Sequence, residues 1–133
     1  MNRSNITKDL LVALKNGYSN NNTYTYCKFN SFCIELLWVL YKEELIFDFF
    51  VQPNNNKIKI RLKYFKNKPL LTNLTLISKP SLICFEKNED LNTFYKKFDY
   101  FFISTSIGVL SSRFIEKKIK TGGQLLFGLK LNI

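Results

Sequence analysis

The chain contains no histidine. That removes histidine-based triads, imidazole acid–base chemistry and most zinc sites. Cysteine is scarce: Cys27, Cys33 and Cys84, none of them in a C-x-x-C pair. Zinc ribbons and thioredoxin-like motifs are therefore excluded. The odd count points to a reducing compartment, with the thiols serving as small buried apolar residues. Acids are few, 10 Asp and Glu against 20 Lys and Arg, a formal net charge of +10. The apolar runs Ile34 to Tyr41 and Leu45 to Phe50 are short and broken by charge, so no membrane span is expected. Met1 to Thr7 carries neither a signal-peptide core nor an Arg-rich transit pattern, and no import sequence is expected. Glycine and proline are sparse, at 5 and 3. With the abundance of Asn, Lys, Phe, Ile and Tyr, this is the set that AT-rich codons specify.

What is present is an apolar fraction of 46% in 133 residues. That is enough for one domain, or two small lobes sharing a core, without disulfide staples. The charge excess favours an anionic partner, with nucleic acid ahead of a membrane surface or an acidic protein. No elbow for a nucleophilic serine, P-loop or dinucleotide fingerprint occurs, and no base exists to activate a serine. Glu43 and Glu44 are adjacent and point differently, so they do not make a carboxylate pair. No catalytic residue, cofactor, metal or small-molecule substrate is expected; the chain reads as a non-enzyme.

Periodicity divides the chain into an α+β pattern. Ile6, Leu10, Ala13 and Leu14 mark an amphipathic helix over Ile6 to Asn16, with Lys8 and Lys15 on its outer face and Gly17 as its left-handed stop. Thr23 to Lys28 suits a short strand. Asn30 or Ser31 caps a second helix to about Glu43, striped by Ile34, Leu37, Trp38 and Tyr41 and expected to be largely buried. Leu45 to Val51 reads as a strand, and Pro53 to Asn56 as a hairpin loop. Lys57 to Tyr64 alternates apolar Ile58, Ile60 and Leu62 with Lys57, Lys59, Arg61 and Lys63, a half-buried strand with a basic face. That face suits either phosphate or a solvated sheet edge that resists aggregation. Lys66 to Pro69 is a turn, Leu70 to Ile77 a strand, and Ser78-Lys79-Pro80-Ser81 a turn that divides the lobes: residues 1–77, an α/β lobe of helix-strand-helix-strand-strand order, and 78–133, mostly β with short helices. In the second lobe, Leu82 to Phe85 begins a strand and Asn88 to Lys97 a short helix. Phe101 to Ser104 is a strand, Thr105 to Gly108 a tight connection, Ser111 or Ser112 the cap of a last helix to about Lys120, and Gln124 to Leu131 a closing strand.

The Ser104-Thr105-Ser106-Ile107-Gly108 segment combines small hydroxyls with a glycine that allows close backbone approach. Such a surface can hydrogen-bond ribose 2′-OH groups and base edges in the shallow groove of RNA. On chemistry alone the capped turn stands ahead of the RNA contact. Lys79 and the Arg113, Lys117, Lys118 and Lys120 cluster add further cations.

The order of these motifs resembles the universal small-subunit ribosomal protein eight family from Ile6 to Phe127. Leu11 through Lys15-Asn16-Gly17 resembles the family's first helix ending in Arg-Asn-Gly. Lys42-Glu43-Glu44, Leu62-Lys63-Tyr64 and Ile77-Ser78-Lys79-Pro80 resemble its Lys-Glu-Glu, Leu-Lys-Tyr and Ile-Ser-Arg/Lys-Pro segments. Ile103 to Leu110 resembles its Ser-Thr-Ser-Lys-Gly-Val-Met signature, and Gly122-Gly123-Gln124 its Gly-Gly-Glu. The resemblance implies two α/β lobes and direct binding to the central domain of small-subunit rRNA, beside neighbouring ribosomal proteins. It implies RNA contacts at Ser104, Thr105, Ser106, Gly108, Gly123, Gln124 and Phe85, and N-terminal contacts at Lys8, Lys15, Asn16, Lys63, Ser78 and Lys79. Ile107 stands where the family carries Lys, Gln124 where it carries Glu, and Phe85 where it carries Tyr. Together with the AT-rich composition, these departures suit an organellar ribosome, the mitochondrial matrix first, with a plastid or an AT-rich bacterial cytoplasm as alternatives. A basic module for acidic membranes or for other RNA is the competing reading. Its discriminator is a strongly basic amphipathic helix, whereas the first helix offers only Lys8 and Lys15.

Overall fold

A computed structural model describes residues 3–77, 85–86, 96–105, 107–113 and 123–132. Ser78, Lys79, Ser106, Cys84, the Lys117–Lys120 cluster and most of the expected helix after Asn88 lie outside them.

The fold is α+β. Two long helices, α1 (Arg3–Ser19) and α2 (Ser31–Lys42), and ten strands lie among the described residues: β1 (Tyr24–Lys28), β2 (Asp48–Gln52), β3 (Lys57–Arg61), β4 (Tyr64–Phe65), β5 (Lys68–Pro69), β6 (Leu71–Leu76), β7 (Phe85–Glu86), β8 (Tyr100–Thr105), β9 (Gly108–Ser111) and β10 (Gly123–Leu131). Helical residues also occur at 96–97 and 112–113. The strands form three antiparallel sheets. One has the order β1-β3-β2, one runs β6-β10-β8-β9 with β7 also on β10, and β4-β5 form a ribbon.

α1 is longer than its apolar spacing suggests. It passes through Gly17, which is not a stop: a Cβ there would lie 2.8 Å from Leu62 Cδ1 and 2.9 Å from Thr25 Cβ. Close packing against β1 and the end of β3 requires the bare backbone, and the left-handed residue is Asn21, at φ 53. α2 starts where expected. Asn30 caps it, its side chain accepting a 2.8 Å bond from the Phe32 N–H. Its buried stripe is Cys33, Leu36, Leu37 and Leu40, whereas Trp38 and Tyr41 are exposed and pack edge-on against Phe49. The next strand starts later than its apolar run implies, at Asp48, because Leu45 and Ile46 are buried in the turn before it. Lys66 and Asn67 both take positive φ in the two-residue β4-β5 turn, the geometry that matches strand twist.

β3 alternates as its sequence demands, with Ile58 and Ile60 fully buried. It ends at Arg61, so Lys63 lies beyond it. It is also the central strand of its sheet, so its lysines do not guard an edge. β6, on the N-terminal side of the expected lobe boundary, pairs with β10. One core runs through both halves, joining Leu10, Leu14, Leu37 and Ile58 to Phe102, Leu126 and Phe127. Phe98, Phe101, Ile103 and Leu125 form a second cluster. β8 is therefore buried on consecutive residues Tyr100 to Ile103, without alternation.

Cys27 and Cys33 are buried with their sulfurs 3.3 Å apart. The hydrogen bond to Cys27, with burial behind it, pushes the Cys33 thiol up. Tyr18 is buried at the end of α1 and donates a 3.1 Å bond to the Lys63 carbonyl. Burial pushes its phenol up to about 12 from the ordinary 10.0. The folded state therefore holds this proton more tightly than the unfolded chain, and its contribution to stability is complete below pH 10.0 and drains away as pH rises towards about 12. Urea titrations at stepped pH should show this loss in the native protein and a smaller one in Tyr18→Phe. An identical alkaline decline in both would contradict the assignment to Tyr18.

Candidate nucleic-acid interface

The C-terminal candidates converge through strand register. Ser104 on β8 faces Gln124 on β10, and Gln124 faces Phe85 on β7. Gly123 is next in line, opposite Glu86. On the other side of β8, Ser104 pairs with Val109 and Thr105 with Gly108 in the β8-β9 hairpin. Ser104, Thr105, Gly108, Gly123, Gln124 and Phe85 thus occupy one end of one sheet, brought together from distant parts of the chain.

Thr105 organises the turn. Its hydroxyl donates a 2.8 Å bond to the Gly108 carbonyl and accepts one of 3.3 Å from the Ile107 N–H. Ile107, at the tip, is largely exposed. The turn leads into strand β9, which intervenes before the expected helix; helical residues begin at 112, directly after Ser111, and the rest of that helix lies outside the described residues. Ser112 also serves the sheet, its Oγ accepting from the Phe101 N–H at 3.2 Å.

Two acids on and just after α2 hold this hairpin, a role that the sequence does not reveal for either. Glu35 Oε1 accepts a 2.8 Å bond from the Val109 N–H, and Glu43 Oε1 accepts a 2.6 Å bond from the Ser111 hydroxyl. Gly108 sits at φ +118 with its absent Cβ position 3.2 Å from Glu35 Oε1. Two carboxylates about two helical turns apart are the available signal; their targets on β9 become visible only once β9 is recognised as a strand.

The N-terminal candidates sit on other elements. Lys8, Lys15 and Asn16 are exposed on α1. Lys15 lines an open groove of about 880 Å³ that also contains Lys97 and Lys130, two cations that carry no motif in the sequence. Lys63 is partly occupied, donating a 3.0 Å bond to the Glu44 carbonyl. No cluster of three metal-ligating side chains occurs among the described residues. None of their helices is long and apolar enough to cross a membrane.

A profile of the family described as ribosomal protein S8 matches residues 5–129. The chain belongs to the ribosomal protein S8 family. Members are structural components of the small ribosomal subunit and not enzymes. Similar relatives include small ribosomal subunit protein uS8m of Acanthamoeba castellanii, 33% identical over 129 residues, covering 96% of this chain and 98% of the relative. Small ribosomal subunit protein uS8 of Buchnera aphidicola subsp. Schizaphis graminum is 31% identical over 119 residues, 89% and 91% of the two chains. That of Ehrlichia canis is 27% identical over 132 residues, 97% and 99%. S8 relatives of bacterial and mitochondrial type therefore align with nearly the whole chain.

Proposed function

We propose that this S8-family protein binds the central domain of small-subunit rRNA directly and pins a helical junction there during subunit assembly. The reading places it in a mitochondrial ribosome, beside other small-subunit proteins. The observation that carries it is the cross-strand row Ser104, Gln124 and Phe85, next to the hairpin turn of Thr105 and Gly108. Hydroxyl and amide groups that both donate and accept suit the ribose 2′-OH and base edges of a wide, shallow minor groove. With Ile107 at the tip, this end relies on hydrogen bonding more than on charge. Phosphate contacts fall to Lys8, Lys15, Asn16, Lys63, Ser78 and Lys79, with the lysines supplying the charge, and the lysine groove beside Lys15 supports that division. The 33% identity to a mitochondrial-type relative supports the compartment.

A filter-binding titration against a central-domain rRNA fragment tests this. Affinity should fall as salt rises. The Ser104→Ala, Gln124→Ala double variant should bind roughly tenfold more weakly, the effect of two hydrogen bonds of about 0.5–1.5 kcal/mol each. Wild-type affinity in the double variant, or equal binding to unrelated hairpins, would remove the hairpin end from the interface.

A further inference from the structure

The outer face of the β1-β3-β2 sheet carries an arrangement that the hairpin site does not use. Residues directly opposite one another on neighbouring strands share a face. The register therefore builds three rows there: Tyr24, Arg61 and Asp48; Tyr26, Lys59 and Phe50; Lys28, Lys57 and Gln52. Ile58 and Ile60 occupy the opposite face, in the core. On the outer face Tyr26 is 46% exposed and Phe50 47%, rings left in solvent on both sides of a central lysine. Lys59 Nζ lies 4.0 Å from the centre of the Tyr24 ring, and the Arg61 guanidinium lies 4.3 Å from that of Phe47 at the sheet margin. The three rows hold four cations, Lys28, Lys57, Lys59 and Arg61, against one acid, Asp48. Arg61 engages that acid through both Nε and Nη2.

We propose that this sheet face is a second RNA-binding surface, one that takes unpaired nucleotides by stacking their bases on Tyr26 and Phe50 while Lys57 and Lys59 neutralise the adjoining phosphates. Anti-aggregation charge does not account for the face, because β3 is central and both its edges are paired. A basic protein-docking surface does not call for rings alternating with cations, whereas single-stranded nucleic acid does. Bases stack on exposed aromatics, and the backbone tracks a positive surface. The cation–π contact of Lys59 holds its ammonium over the Tyr24 ring, beside the row of Tyr26 and Phe50. The hairpin end offers the complementary chemistry, hydroxyls and amides suited to a paired groove. The two surfaces would then hold a helix and an adjoining unpaired strand of the same RNA. The sheet-face proposal does not depend on the hairpin reading.

The test uses the full chain, a fluorescein-labelled oligouridylate decamer and a duplex RNA of equal length, read by anisotropy. Tyr26→Ser with Phe50→Ser should weaken decamer binding at least tenfold and leave duplex binding within threefold of wild type. Tyr26→Phe with Phe50→Tyr, which keeps a ring at each position, should retain wild-type decamer affinity. Lys57→Gln with Lys59→Gln should flatten the salt dependence for the decamer by roughly 1.4 in the log–log slope, two phosphates' worth for a single strand. Both serine substitutions fall on solvent-facing rings, and circular dichroism confirms the fold before binding is compared. Unchanged decamer affinity in the serine variant, or equal losses for decamer and duplex, would overturn the proposal. So would a serine variant that loses only its binding to phosphatidylserine vesicles. Loss of rRNA binding through the hairpin variants alone would leave these decamer results unchanged, which separates the two surfaces.

Discussion

Replacing Phe127 by alanine should destabilise the protein by about 3–5 kcal/mol, the usual loss when a fully buried phenylalanine leaves a cavity. Phe127 has no exposed surface and stacks on Phe102 at 4.6 Å between ring centres. It also belongs to the cluster that joins α1, α2 and β3 to the β8-β10 sheet. A hole there loosens both halves together. Since total stability for a domain is typically about 5–15 kcal/mol, much of it would be lost. Urea unfolding followed by far-ultraviolet circular dichroism and by the fluorescence of Trp38 on α2 should shift by the same amount. A loss below about 1 kcal/mol, or a transition in only one signal, would show that the halves do not share this core energetically.

Gly108→Val should be the most damaging single change at the hairpin. The position is at φ +118, where a side chain costs about 1–3 kcal/mol and a β-branched one belongs at the upper end. The added Cβ would also press on Glu35 Oε1 at 3.2 Å, the atom that receives the Val109 N–H. Displacing that carboxylate leaves a part-buried donor unpaired. RNA affinity should fall more than tenfold while the far-ultraviolet spectrum changes little, because the core beneath is untouched. Glu35→Ala combined with Gly108→Val should then restore room but not the hydrogen bond, recovering only part of the stability. Wild-type RNA affinity in Gly108→Val would exclude the hairpin from recognition.

Features set by local chemistry are readable in the residues. Ile58 and Ile60 between lysines announce β3, Asn30 announces the start of α2, and Pro53 to Asn56 announces a hairpin. Features set by distant partners are not. Gly17 looks like a stop, yet Leu62 and Thr25 explain it. Tyr100 to Ile103 is buried on both faces, so its strand carries no alternation. Ser111 and Ser112 mark the start of helical residues at 112, but their bonds to Glu43 and the Phe101 amide are not visible in the sequence, and neither is β9 before them. At the candidate site, the individual residues are named by the S8 resemblance. Their convergence is not, because Ser104, Gln124 and Phe85 meet only through the register of three strands. The same holds for the sheet face: the basic row on β3 can be read directly, but its aromatic neighbours come from β1 and β2.

The position of β10 bears on how the protein is made. It is the last of the described strands, yet it lies inside its sheet, hydrogen-bonded to β6, β7 and β8. During synthesis those three strands precede β10 and have nothing between them until β10 itself emerges. Sheet closure is then a late, long-range event of the kind that folds slowly and exposes sticky edges meanwhile. Until then β6 and the β10-facing edge of β8 stay unpaired, and without β10 only the β8-β9 pairing would remain of this sheet.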